Sequence, residues 1–165
     1  MIVGIDPGVT GAIAVLRESA ELVAIWDMPV FTLRGNSQTV NGAELGNIFA
    51  RILQSDSKLT VYLENVHTMP GQGGVSGGNF MLGFGIIIGV LADRKIGFNL
   101  VEPQVWKRRA NLPKRKKDQD KAAYKDMARA LAQRLWPSAS LGLKKHQGRA
   151  DALLIARFGG PDKLL

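Results

Sequence analysis

Apolar positions along the chain follow two periods, and each period marks a different kind of element. Ile2–Asp6 is a short apolar run that ends on an acid, and Ala12–Leu16 is a second. Between them lies Pro7-Gly8-Val9-Thr10-Gly11, whose proline and glycines favour a tight turn. Glu21–Met28 supplies a third strand, so the chain is expected to open with an antiparallel meander. The period then changes. Leu45, Ile48, Phe49, Ile52 and Leu53 fall at helical spacing, which predicts a helix over Asn41–Leu53. Leu59–Val66 returns to strand chemistry around Val61, Tyr62 and Leu63 and contains one acid, Glu64.

The glycine-rich stretch Gly71–Gly78 reads as a mobile loop before an apolar helix over Asn79–Asp93. That helix is apolar nearly all round, with Gly85 and Gly89 one turn apart, so it belongs in the core or in a subunit interface. Phe80 and Phe84 are read as core or dimer packing. Phe98–Val101 is a short strand, and Lys121–Leu135 is a helix that stops before Pro137. Asp151–Phe158 is a last helix, ended by Gly159-Gly160-Pro161 and opened by Asp151, which alone could be a helix-end cap. No internal repeat or linker is visible. The order predicts one α/β domain over residues 1–165, a mixed sheet flanked by helices.

Charge adds a partner to this picture. The chain of 165 residues carries a formal +8, with 45% apolar residues, enough for a folded core. Residues 1–93 hold four basic and eight acidic residues, a net −4. Residues 94–165 hold eighteen basic and six acidic, a net +12, which points to a polyanion. The absence of cysteine excludes a disulfide scaffold, a thiolate zinc site and a cysteine nucleophile. No apolar run reaches the length of about 18–20 residues that spans a bilayer. With no basic leader before Asp6, a soluble cytoplasmic protein is expected, with no membrane partner.

Asp6 and Glu64 end apolar strands, and Asp151 opens a helix. Carboxylate oxygens are hard ligands that suit Mg²⁺, and two such ions about 3.5–4 Å apart can support phosphodiester hydrolysis. Around these acids the chain resembles a known family. Ile2-Val3-Gly4-Ile5-Asp6-Pro7-Gly8-Val9-Thr10-Gly11 is similar to the opening of RuvC-type Holliday-junction resolvases, crossover junction endodeoxyribonucleases with the RNase H-like fold. The similarity continues in Tyr62–Val66, in Val101–Lys107 and in Arg149–Ala156, in the family's order and across nearly the whole chain. A phage-type member would fit the departures noted below.

The resemblance implies that Asp6, Glu64 and Asp151 are metal ligands for Mg²⁺, with Mn²⁺ as a substitute and two ions per site. The family places a further acid or histidine three residues before the last acid, where this chain has Gly148. His146 is the nearest replacement, as metal ligand or proton carrier; otherwise it is a solvated histidine in a basic loop. Glu102 is a weaker candidate for that ligand. Lys107, read as following a Glu102–Trp106 strand end, and Lys121 match lysines that the family places near the scissile phosphate. The basic residues Lys107, Arg108, Arg109, Lys114, Arg115, Lys116 and Lys117 include no acid between them and are read as DNA backbone contacts. Lys121, Lys144, Lys145 and Arg149 join that set, while His67 and Met69 stand where the family probes the junction.

Implied is a Mg²⁺-dependent homodimer that resolves four-way junctions in a bacterial or phage-infected cell, without a small-molecule cofactor. A branched-DNA-binding module that does not cut, or an RNase H-like nuclease with another substrate, are the alternatives. An actin- or sugar-kinase-like phosphate loop would also explain Asp6–Gly11, but a chain of this length has no room for the second lobe.

Overall fold

The computed structural model describes residues 1–66, 74–114 and 120–161. Strands β1 (Ile2–Asp6), β2 (Ala12–Leu16) and β3 (Leu22–Asp27) form the expected antiparallel meander. A small hairpin follows, β4 (Val30–Thr32) and β5 (Gln38–Val40), which the sequence pattern does not announce. Helix α1 (Gly42–Ser55) starts where the Asn41 side chain accepts the Glu44 N–H. It leads into β6 (Thr60–Glu64), which pairs parallel to β1. Helix α2 (Gly74–Asp93) crosses to β7 (Phe98–Val101), parallel to β6. The main sheet therefore runs β3-β2-β1-β6-β7, and its centre is β1. Three α-helices follow among the described residues: α3 (Pro103–Arg109), α4 (Lys121–Leu135) and α5 (Gln147–Phe158).

Alternation along the strands divides the interior into two layers. Val3, Ile5, Ile13, Val15, Val61 and Leu63 face α1 and α2 and are completely or almost completely buried. Ile2, Ala12, Ala14 and Leu16 face the other way, onto α3, α4 and α5. Small residues let α5 lie close on that face. A Cβ at Gly4 would collide with the backbone of Ala152 and Ala156, so only glycine fits.

Three expected boundaries change. The last helix begins at Gln147, so Asp151 lies within it and does not cap its end. Glu102–Trp106, read as a strand end before Lys107, instead leads into and forms part of α3, residues 103–109, with Pro103 in its first turn. Proline is tolerated there because its missing N–H has no helical partner to lose. Helix α2 takes in Gly74–Gly78 instead of starting at Asn79. Glycine in a helix costs about 1 kcal/mol relative to alanine, but packing can outweigh that. Here α2 lies close to β5: a Cβ on Gly83 would stand 3.1 Å from Val40 Cγ2. The other residues of the expected loop, 71–73, lie outside the described part. Phe84 is buried in the core layer, with Ile87 and Leu91, whereas Met81 and Leu82 are exposed. Among the described residues no helix is long and apolar enough to cross a membrane.

Candidate active site

The central strands aim two acids at one end of the sheet. Asp6 is the last residue of β1 and Glu64 the last of the parallel neighbour β6, with Ile5 paired to Leu63 just before them. Helix α5 brings the third. Its first turn presses on the turn that follows Asp6: a Cβ at Gly148 would collide with the Thr10 carbonyl and the Gly11 backbone. That contact explains why glycine stands where the resemblance leads one to look for an acid or histidine. Three residues later, Asp151 faces the strand ends.

The electrostatics show that these acids are neighbours. Burial pushes the proton affinity of Asp6 well above the usual carboxylate range, and Glu64 and Asp151 push it further. The Gly8 N–H, 3.2 Å from Asp6 Oδ1, and Lys107 oppose that shift. Glu64 is raised by burial and by Glu102, against the Trp106 hydrogen bond and Lys107. Asp151 is pushed up to about 7 by burial and by Glu64, opposed by Lys107, Gln147 and Lys125. All three residues remain partly exposed, so solutes can reach them. Two oxygens are already held: Glu64 Oε1 accepts from Trp106 Nε1 at 2.9 Å, and Asp151 Oδ1 accepts from Gln147 Nε2 at 2.9 Å.

Lys107 is the one cation acting on all three acids among the described residues, and it is partly exposed. Its ammonium lies 5.0 Å from the centre of the Trp106 ring. Lys121 opens α4, but its side chain lies outside the described residues. Lys125, one turn further along α4, acts on Asp151. The sequence reading missed Lys125, Trp106 and Gln147. Helical spacing from Lys121 could have drawn attention to Lys125, and an i,i+4 pairing with Asp151 to Gln147.

His146 takes a different place from the one expected of a ligand or of a solvated loop residue. It is buried, at 7% exposure, and Nδ1 accepts the Leu143 backbone N–H at 3.4 Å. Burial, then Arg149 and Lys145, lower its proton affinity, while Asp27 raises it; none of the three acids acts on it. Arg149 is engaged in a two-point ion pair, Nε and Nη2 each 2.6 Å from an Asp27 oxygen, with Nη1 3.3 Å from the Ser140 carbonyl. This pair draws the Asp27 carboxyl below its usual range. Glu102 Oε1 accepts from Asn65 Nδ2 at 2.6 Å, beside Glu64. Arg108, Lys114, Lys144 and Lys145 are exposed, and Arg109 Nη1 donates to the Gly159 carbonyl at 2.8 Å. His67, Met69, Arg115, Lys116 and Lys117 lie outside the described residues.

The donor chemistry fits a hard divalent cation: oxygen ligands only, desolvated, repelling one another and short of positive charge. Among the described residues no group of three or more acids and histidines has the spacing of a preformed metal centre. Carboxylates that repel one another without a counter-ion have a physical reason to stand apart.

Solved structures share this architecture. One is Thermus thermophilus RuvC in complex with a Holliday junction substrate, 12% identical, with a TM-score of 0.54 over 93% of this chain and 88% of that one. Another structure of Thermus thermophilus RuvC is 13% identical, with a TM-score of 0.50 over 94% of this chain and 91% of that one. No protein-family model and no curated protein matches the sequence. The fold is therefore the RNase H-like α/β fold seen in RuvC, as the sequence resemblance leads one to expect.

Proposed function

We propose that this protein is a structure-selective endodeoxyribonuclease that cuts four-way junctions or related branched DNA by divalent-metal-assisted phosphodiester hydrolysis. The observation that carries the reading is the trio of desolvated acids, Asp6, Glu64 and Asp151, from two strands and a helix, with Glu64 acting on both others and Lys107 on all three. A structural ion-pair network would bring a cation to each acid. This group has three carboxyls sharing Lys107, with Lys125 acting on Asp151 alone, which suits a site completed by Mg²⁺ and phosphate. The DNA-bound state of a protein with the same fold supports the choice of a junction as substrate.

Asp6, Glu64 and Asp151 would together hold the divalent ions, two per site in this reading. When bound, Mg²⁺ (or Mn²⁺ in its place) supplies a polarised water and neutralises charge on the reacting phosphate. The chain's own residues prepare the site. Trp106 and Gln147 each hold one carboxylate oxygen and leave its partner to a ligand. Lys107 offsets negative charge as the phosphate reacts. The exposed Arg108, Lys114, Lys144 and Lys145, with Lys121 and residues 115–117, would grip backbone phosphates. The cut would leave 5′-phosphate and 3′-hydroxyl ends.

Resolving a junction symmetrically needs two active sites, so the working form would be a homodimer in the cytoplasm, with the exposed side of α2 as the contact. The test is cleavage of a four-way junction, a fork and a plain duplex by the full chain with Mg²⁺, with Mn²⁺ and with chelator. Paired nicks in the junction, lost on chelation and absent from duplex, are expected. Junction binding without nicking under both metals and across pH would instead make the protein a branched-DNA-binding module. Preferential cutting of another structure would make it an RNase H-like nuclease with a different substrate.

A further inference from the structure

Trp106 is completely buried in the core layer between the sheet and α5, yet it reaches the acid cluster with two parts of its ring. The edge acts on an acid: Nε1–H donates to Glu64 Oε1 at 2.9 Å. The face acts on a cation, because Lys107 Nζ stands 5.0 Å from the ring centre. Packing alone requires neither contact, since phenylalanine or leucine could occupy an apolar site between the same helices. A buried indole N–H needs an acceptor, and a carboxylate forms the stronger, charge-assisted bond that stops the acid from rotating. An ammonium over an aromatic face is attracted by the ring's quadrupole.

We propose that Trp106 is a positioning residue of the active site, whose N–H sets the orientation of Glu64 and whose ring face keeps Lys107 turned toward the acids. The inference rests on the nuclease reading above. One indole thereby couples a ligand to the lysine that faces the phosphate, and fixes both to the rigid layer formed with α5. The indole bond on Oε1 fixes the orientation in which the Glu64 carboxylate would be presented to a metal. Residues that orient a ligand in this way change metal affinity or activity by about 10- to 100-fold when removed.

The test compares Trp106→Phe, which keeps a ring face and loses the N–H, with Trp106→Leu, which loses both. Phe49→Leu in α1 is the control, a core truncation on the opposite side of the sheet. Free Mn²⁺ is counted by electron paramagnetic resonance against the full chain without DNA, and nicking rates are measured at saturating metal. Trp106→Phe should weaken Mn²⁺ binding by about 10- to 100-fold, whereas Phe49→Leu should leave it unchanged even though both lower the melting temperature. Trp106→Leu should nick more slowly still, and that extra loss should vanish in a Lys107→Met background. Equal Mn²⁺ affinity for wild type and Trp106→Phe, or equal weakening by Phe49→Leu, overturns the proposal.

A further measurement needs neither metal nor a folded Trp106 variant. The Trp106 indole resonance, in otherwise wild-type protein, should move and exchange faster with solvent when Glu64→Gln is introduced; an unmoved resonance overturns the proposal. Wild-type protein that binds no Mn²⁺ and cuts no junction would overturn the nuclease reading instead, and this resonance would still decide the Trp106–Glu64 bond.

Discussion

A methyl group at position 148 would run into the Thr10 carbonyl and the Gly11 backbone, so the turn after Asp6 and the helix carrying Asp151 meet across a bare glycine. Gly148→Ala should therefore cost about 1–3 kcal/mol, the range for overpacking a tight contact. Urea unfolding checks this, and an unchanged midpoint would contradict it. Gly148→Asp, which restores the residue type that the resemblance expects, should lower stability in the same way and bring no gain in nicking. Asp151 gives a prediction of opposite sign. Its carboxyl is held up to about 7, against an ordinary value of 3.8, so the folded state keeps a proton that the unfolded chain releases. That contribution is fully present below about pH 3.8 and is lost as pH rises through about 7. In chelator, Asp151→Asn should therefore be more stable than wild type, with a gap that widens from pH 4 to pH 7 and then levels off. A gap that stays constant with pH would show that Asp151 is not desolvated among other acids.

At the scale of elements, α2 carries the least usual sequence. A Cβ on Gly85 or Gly89 would meet nothing within 4 Å, and Gly89 lines a shallow groove of about 360 Å³ with Gly42, Gly46, Ile86 and Val90. In an isolated monomer, alanine at each position should stabilise the helix by about 0.5–1 kcal/mol. In a homodimer packed through this face, Gly85→Ala and Gly89→Ala should shift sedimentation equilibrium toward monomer. Unchanged association would move the dimer contact elsewhere. This helix also shows what local pattern can and cannot convey. Continuous apolar runs over Ile2–Asp6 and Ala12–Leu16, buried on both faces of the sheet, and the helical spacing from Leu45 to Leu53, which buries one face, made those elements readable. Gly74–Gly78 read as loop because glycine's preference is local, while the helix they open is packed against β5 further along, at Gly83. Likewise the strand-end and helix positions of Asp6, Glu64 and Asp151 were legible in their motifs, but the burial of His146 was not. Besides its neighbours Lys145 and Arg149, this histidine feels Asp27 of β3 and Arg129 of α4, and no spacing in the sequence places those elements beside it.

For the whole molecule, the division of charge has a structural sense. The net −4 part supplies β1 and β6 with Asp6 and Glu64, and the net +12 part supplies Asp151, Lys107 and the exposed Lys114, Lys144 and Lys145. If about six backbone phosphates are gripped, junction affinity should fall about a thousandfold between about 50 and 200 mM salt. Lys144→Ala and Lys145→Ala should each reduce the slope of log affinity against log salt by about 1, and an unaltered slope would remove that residue from the interface. The central claim is narrower: the carboxyl that ends β1 is required for cutting and not for grip. Nicking of a four-way junction in Mg²⁺, with binding measured in parallel, by wild type and Asp6→Asn tests it most directly. Asp6→Asn should bind the junction as tightly as wild type and leave it uncut. Cleavage at the wild-type rate by Asp6→Asn would contradict the assignment of the metal site.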